Sequence, residues 1–164
     1  MIFLPGNVPS LKNSKQVAKT KGGKTVLLYS KTVKSYLRNL GIQRLSAKTG
    51  ITAYATRQNV FKSKINGFFD RVEYPCVLGM HFVRGSRRKF DFINAAQIIC
   101  DLLVAHGFIV DDDTQHLLPV PMKLNGSWYS VNKNNPGVYM EIIQGDIPEL
   151  EKNNHITEHQ TEMF

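Results

Sequence analysis

The sequence predicts a single domain of the mixed helix-and-strand class (α/β, α+β), and three observations carry that reading. At 164 residues the chain is long enough for one domain with a proper core and short for two. Two stretches, around Val33–Leu40 and Ile93–His106, repeat apolar residues with a helical period. Between and around them lie short apolar runs bounded by Gly, Pro and Asn, the pattern of strands.

The elements follow in order. Ile2-Phe3-Leu4 followed by Pro5-Gly6-Asn7 predicts a strand leading into a polar loop that continues through Lys15. Lys21-Gly22-Gly23-Lys24 reads as a turn, and Thr25–Tyr29 as the strand after it. Ser30 can cap a helix in which Val33, Tyr36, Leu37 and Leu40 fall at i, i+3, i+4 and i+7; its end is expected between Gly41 and Gly50. Residues 51–72 carry no clear period, and no element is predicted there. Pro75–Val83 reads as a strand ending at the basic loop Gly85-Ser86-Arg87-Arg88-Lys89.

The clearest helix runs from about Ile93 to His106. Ala95, Ala96, Ile99, Leu102, Leu103 and His106 share one broad face, with Asn94, Gln97 and Asp101 as a polar stripe opposite and Gly107 to end it. Leu117–Met122 and Val138–Ile143 read as further strands, with Asn125-Gly126 between them as a hairpin-type turn. Tyr29, Phe61 and Trp128 have two readings, stacking on bases and packing in the core, and core packing is the expectation for each. The chain divides into a domain over 1–145 and a polar, acidic tail over 146–164.

Charge is spread unevenly along the chain. The net charge is +8, and the first acidic residue is Asp70, behind thirteen Lys or Arg. From Glu141 onward, six acids face the single base Lys152. A basic body with an acidic end favours a polyanionic partner. Lys12, Lys15, Lys19, Lys21 and Lys24, on the expected loop and turn, and Arg87, Arg88 and Lys89 are the candidate phosphate contacts. No apolar run approaches the ~18 residues of a membrane span, and the N-terminus lacks the basic segment of a secretory signal. Cys76 and Cys100 have no metal-type spacing and read as buried, reduced thiols of a cytoplasmic protein.

Against this background three consecutive aspartates, Asp111, Asp112 and Asp113, need a cation or plentiful water, because adjacent carboxylates repel. Asp91 stands just before the long helix and the trio shortly after it. A helix of ~14 residues spans ~20 Å, so its two ends cannot touch one ion. The carboxylates converge if the chain after Gly107 doubles back along the helix as a strand, and Asp111 and Asp113 then share a face. Such an all-oxygen cluster suits Mg²⁺ or Mn²⁺. The plainer readings are a helix cap for Asp91, a solvated turn for the trio and the outer helix face for Asp101. The spacing of an EF-hand is absent.

The segment 75–112, with PCVLGMHFV, SRRK, DFIN and a helix leading into HGFIVDDD, resembles the core of the RusA-type Holliday junction resolvases. These are small, dimeric, Mg²⁺-dependent endonucleases encoded mainly by bacteriophages and prophages. A looser similarity covers PSLKNSK and KTVLLYSKTVKSYL near the N-terminus. The resemblance implies a RusA-like fold, a small mixed sheet packed with two main helices. It implies Asp91, Asp112 and Asn94 as catalytic residues and, of the matched pair Asp111-Asp112, the second as the metal ligand; Asp91, Asp111 and Asp112 together are the candidate ligand set. The sequence departs from the family at Ile93, where a second aspartate is expected, and at Gln97, where a lysine is expected. Asp113 is a candidate substitute for the carboxylate lost at Ile93.

The expected function is thus a Mg²⁺- or Mn²⁺-dependent endonuclease that resolves Holliday junctions or other branched DNA. It would act as a homodimer in the cytoplasm of a bacterial cell, with no membrane partner and no small-molecule cofactor. Ile93 and Gln97 leave one alternative open, a catalytically impaired branched-DNA-binding protein of the same fold, and the basic face leaves another, a protein–protein adaptor that meets an acidic partner.

Overall fold

The strand Cys76–Arg84 is apolar at nearly every position, and the chain uses it as the central strand of a sheet, with its own residues buried on both sides. Leu78, Met80 and Phe82 point into the main core, while Gly79, His81 and Val83 are buried on the opposite side. The computed structural model describes residues 1–10, 15–19, 25–42 and 59–143. In chain order the elements are β1 (Ile2–Pro5), β2 (Lys15–Lys19), β3 (Thr25–Tyr29), α1 (Lys31–Asn39), α2 (Val60–Ile65), β4 (Cys76–Arg84), α3 (Phe92–Ala105), β5 (Leu117–Pro121), β6 (Tyr129–Val131) and β7 (Gly137–Ile143).

The main sheet has five strands in the order β1-β7-β4-β5, with β6 also paired to β4. β7 runs antiparallel to both β1 and β4. On the other edge of β4 two short parallel strands follow one another: β5 lies along Cys76–Met80 and β6 along Phe82–Arg84. Gly137 permits the tight β1–β7 contact, since a Cβ there would stand 2.3 Å from the Phe3 ring and 2.5 Å from the Leu4 carbonyl oxygen.

A parallel neighbour requires a crossover connection, and α3 supplies it between β4 and β5. The helix runs back along the strand it follows. Phe92, at its start, packs against Phe82 near the end of β4, with ring centroids 5.6 Å apart. Cys100, further down, lies toward Cys76 at the beginning of β4, and both are buried in the same core. Ala95, Ala96, Ile99, Leu102 and Leu103 are buried as the helical period requires, together with Ile98 and Cys100. Gly107, at φ 71°, takes the left-handed conformation that ends the helix.

Several expectations are corrected. Lys15 and Lys19 are the first and last residues of β2, paired with Tyr29 and Thr25 of β3, and not loop residues. The composition of KQVAK hides the strand because its pairing partner, not its own propensity, makes it one. A third helix, α2, falls where none was predicted. Its six residues give a single i, i+4 apolar pair, Phe61 and Ile65, both fully buried, behind the cap that Asn59 Oδ1 makes to the Lys62 N–H at 2.8 Å. α1 ends at Asn39, before the expected window, where Gly41 takes φ 78°. Asn125 and Gly126 do form a tight turn, at φ 50° and 79°. It closes only the Leu124–Ser127 bridge, because the strands on either side pair with β4 and not with each other. Phe61 is core as expected, but Trp128 is 57% exposed. Lys12, Lys21, Lys24 and the tail from residue 144 lie outside the described residues. Among the described residues no helix is long and apolar enough to cross a membrane.

Phe61 docks α2 onto the core, so Phe61→Ala should lower the unfolding free energy by about 3–5 kcal/mol, the usual result of emptying a buried aromatic site. Urea denaturation followed by circular dichroism measures it. A loss well below 1 kcal/mol would mean that α2 does not pack as described.

Candidate nucleic-acid interface

The N-terminus of α3 brings a carboxylate and a cationic loop together. Asp91 is the helix N-cap: its Oδ1 accepts from the Ile93 N–H at 3.1 Å and its Oδ2 from Asn94 Nδ2 at 2.6 Å. The cap role read from the sequence is real, and the Asn94 amide donates to the same carboxylate. Ile93 is 74% exposed beside it, an apolar side chain in water where the resemblance expects an acid. Just upstream, Arg84 donates to the Val8 carbonyl and the Gly85 N–H donates to Asn7 Oδ1, which ties the base of the basic loop to the chain after β1. Arg87, Arg88 and Lys89 project from that base, exposed. Among the described residues none of the three has an ion-pair partner.

The aspartate trio is placed differently from the expectation. The chain after Gly107 forms bends and turns, not a strand, so strand alternation does not aim Asp111 and Asp113 the same way. Asp111 Oδ1 accepts from the Asp112 N–H at 2.8 Å. Asp113 Oδ1 accepts from the Gln115 N–H at 2.9 Å and lies 2.7 Å from His116 Nδ1. The Asp113 carbonyl also accepts from the N–H groups of His116 and Leu117, so this residue organises the turn that launches β5. The hydrogen bond from His116 holds the Asp113 carboxyl below the usual aspartate range, helped by the Gln115 N–H.

Asp112 lies near Cys100, whose thiol is pushed up to about 12 by burial and by the charges of Asp112 and Asp101. Cys100 sits roughly 13 Å down the helix axis from Asp91, at ~1.5 Å per residue. The crossover therefore leaves Asp91 at one end of α3 and the trio near the other, and the expected gathering of Asp91, Asp111, Asp112 and Asp113 does not occur within one chain. Among the described residues no group of three or more His, Cys, Asp or Glu side chains could hold a metal ion. The donor chemistry fits a smaller demand: Mg²⁺ is commonly held by one or two carboxylates, with phosphate oxygens and water completing the octahedron. Asp91, or Asp111 with Asp112, could serve in that way.

Sequence reasoning missed a second set of residues. His81 is fully buried at the point where β4 changes partner from β5 to β6. Its Nδ1 is 3.1 Å from the Met122 carbonyl oxygen and its Nε2 3.0 Å from Ser130 Oγ. A carbonyl only accepts, so Nδ1 carries the proton and Nε2 accepts from the Ser130 hydroxyl. Both ends of the excursion between β5 and β6 are thereby pinned to one ring. That excursion displays Trp128 and leads into Tyr129, which is 42% exposed. The histidine gave no signal beyond being a polar residue inside an apolar run. At the opposite end of β4 a groove of about 640 Å³ is lined by Asp70, Arg71, Glu73, Pro75, Ile142 and Ile143, none of them a predicted site residue.

No protein-family model matches the chain, and neither the curated proteins nor the solved structures contain a match to it.

Because the folded Asp113 carboxyl is depressed, its contribution to the turn is present above the unfolded pKa and lost as pH falls through the folded one. A carboxyl-carbon NMR titration should place its midpoint below the ordinary aspartate value of about 3.9. His116→Ala should raise that midpoint toward the ordinary value. A midpoint indifferent to His116 would refute the pairing.

Proposed function

We propose that the chain binds branched DNA and hydrolyses a phosphodiester bond in it with Mg²⁺ or Mn²⁺, the activity that the RusA-type resemblance implies. One observation carries this reading. Three exposed cations without ion-pair partners among the described residues, Arg87, Arg88 and Lys89, directly precede an exposed carboxylate, Asp91, at the start of a helix. Phosphate held by that loop would stand beside Asp91, and the helix N-terminus also favours an anion. The carboxylate and the phosphate repel each other, and a divalent cation between them relieves the repulsion. Bound there, it would polarise a phosphate oxygen and acidify an attacking water. Asn94 keeps the Asp91 side chain in one orientation. A four-way junction has approximate two-fold symmetry, so paired cuts suit a homodimer.

Binding without cleavage is a second reading, and Ile93 favours it. An exposed isoleucine stands where the resemblance expects a metal-binding aspartate, and α3 separates Asp91 from Asp112.

A labelled four-way junction incubated with Mg²⁺ or Mn²⁺ decides between them. Paired symmetric nicks are expected from the wild type, with Asp91→Asn slower by about 10²-fold, the scale of losing one electrostatic contribution at a reacting centre, and Asp112→Asn, toward the other end of α3, close to the wild type. Tight binding without nicks from all three proteins would establish the binding-only reading. Failure to bind at low salt would remove both and leave the adaptor. Neutralising Arg87, Arg88 and Lys89 should also flatten the salt dependence of binding by about one unit of slope per cation.

A further inference from the structure

We propose that Trp128, Tyr129 and Phe90, with Lys123 and Arg84, form a stacking platform for unpaired nucleotides of single-stranded DNA. The inference rests on the DNA-binding reading above and names the part of a branched substrate that this sheet edge holds. Two of these aromatics stand out from the core, Trp128 at 57% exposed and Tyr129 at 42%, on and beside the edge strand β6, while Phe90 is partly buried against the core and supports them. Each cation sits on an aromatic face. Lys123 Nζ lies 4.7 Å from the centre of the Trp128 ring, and the Arg84 guanidinium carbon 4.7 Å from the centre of the Phe90 ring. Phe90 meets Tyr129 edge-on, at 5.5 Å and 75°, which fixes the tyrosine ring.

The surroundings are predominantly cationic, with Asp91, next to Phe90, as the nearby exposed carboxylate. No acidic residue occurs from Thr114 to Met140. Lys123, Lys133, Arg87, Arg88 and Lys89 are exposed, and none has an ion-pair partner among the described residues. Aromatic faces interleaved with cations match a single strand, whose bases present open π-faces and whose backbone is anionic. A duplex hides those faces in its own stack. The platform is also pre-organised, because His81 grips the excursion at Met122 and Ser130 and so limits the ordering that binding would require.

Trp128 is the only tryptophan in the chain, so its fluorescence reports on the platform directly. The full chain is titrated at low salt with oligothymidylate, with an abasic sugar-phosphate oligomer of equal length, and with a four-way junction. Oligothymidylate should quench the emission, and the abasic oligomer should leave it nearly unchanged. By anisotropy, Trp128→Ala should bind oligothymidylate about ten-fold or more weakly, the scale of losing one base stack. Trp128→Phe should keep most of the affinity, and circular dichroism checks that both variants fold. DNA binding with constant emission and an unaffected Trp128→Ala variant would overturn the platform while leaving the DNA reading intact. No binding to any of the three nucleic acids would overturn both. Emission that changes with protein concentration alone would overturn it in favour of self-association through β6.

Discussion

Two parallel strands cannot be joined by a tight turn, so the chain leaving the end of β4 must travel back along the strand before β5 can begin. α3 makes that return journey, buried along Ala95, Ile98, Ile99, Leu102 and Leu103 against the sheet. The placement of the charged residues follows from it. Asp91 and the basic loop stay at the end where β4 finishes, and Asp111, Asp112 and Asp113 are delivered toward the end where β4 starts. The same crossover that gives the domain its core thus holds the acidic groups of one chain apart.

A second constraint acts at the edge of the sheet. β5 and β6 share one side of β4 in succession, which leaves a break between them that no backbone ladder closes. His81 closes it with its side chain, donating to Met122 and accepting from Ser130. A buried imidazole with an unpaired nitrogen would be costly, so satisfying both nitrogens also fixes where the excursion lies. Pro119 and Pro121 within β5 remove N–H groups from that open edge and discourage a further strand from pairing there.

The aspartates show how a local demand precedes a chemical one. Asp91, Asp111 and Asp113 each accept from a backbone N–H one or two residues ahead, the ordinary behaviour of a short carboxylate at a turn or helix start. A carboxylate oxygen has further lone pairs, so these bonds orient the groups without exhausting them. The run of three acids in a basic chain is therefore first a device for turning from α3 into β5. Asp112 alone of the three has no side-chain hydrogen bond among the described residues.

The sequence by itself determined the long elements. The period of α3, the cap at Ser30, the apolar run of β4 and the stop at Gly107 are local signals, and each appears where its residues place it within a residue or two. It also determined which residues carry charge, and that Arg87–Lys89 adjoin Asp91, because contiguity survives any fold. Only the tertiary structure decided the rest. β2, β6 and α2 are too short or too polar to announce themselves, and exist because a partner strand or the core completes them. The burial of His81, the exposure of Trp128 and the separation of Asp91 from Asp112 depend on which strands become neighbours. Strand neighbours are chosen by non-local pairing and by burial of the whole sheet, and no window of sequence contains that information.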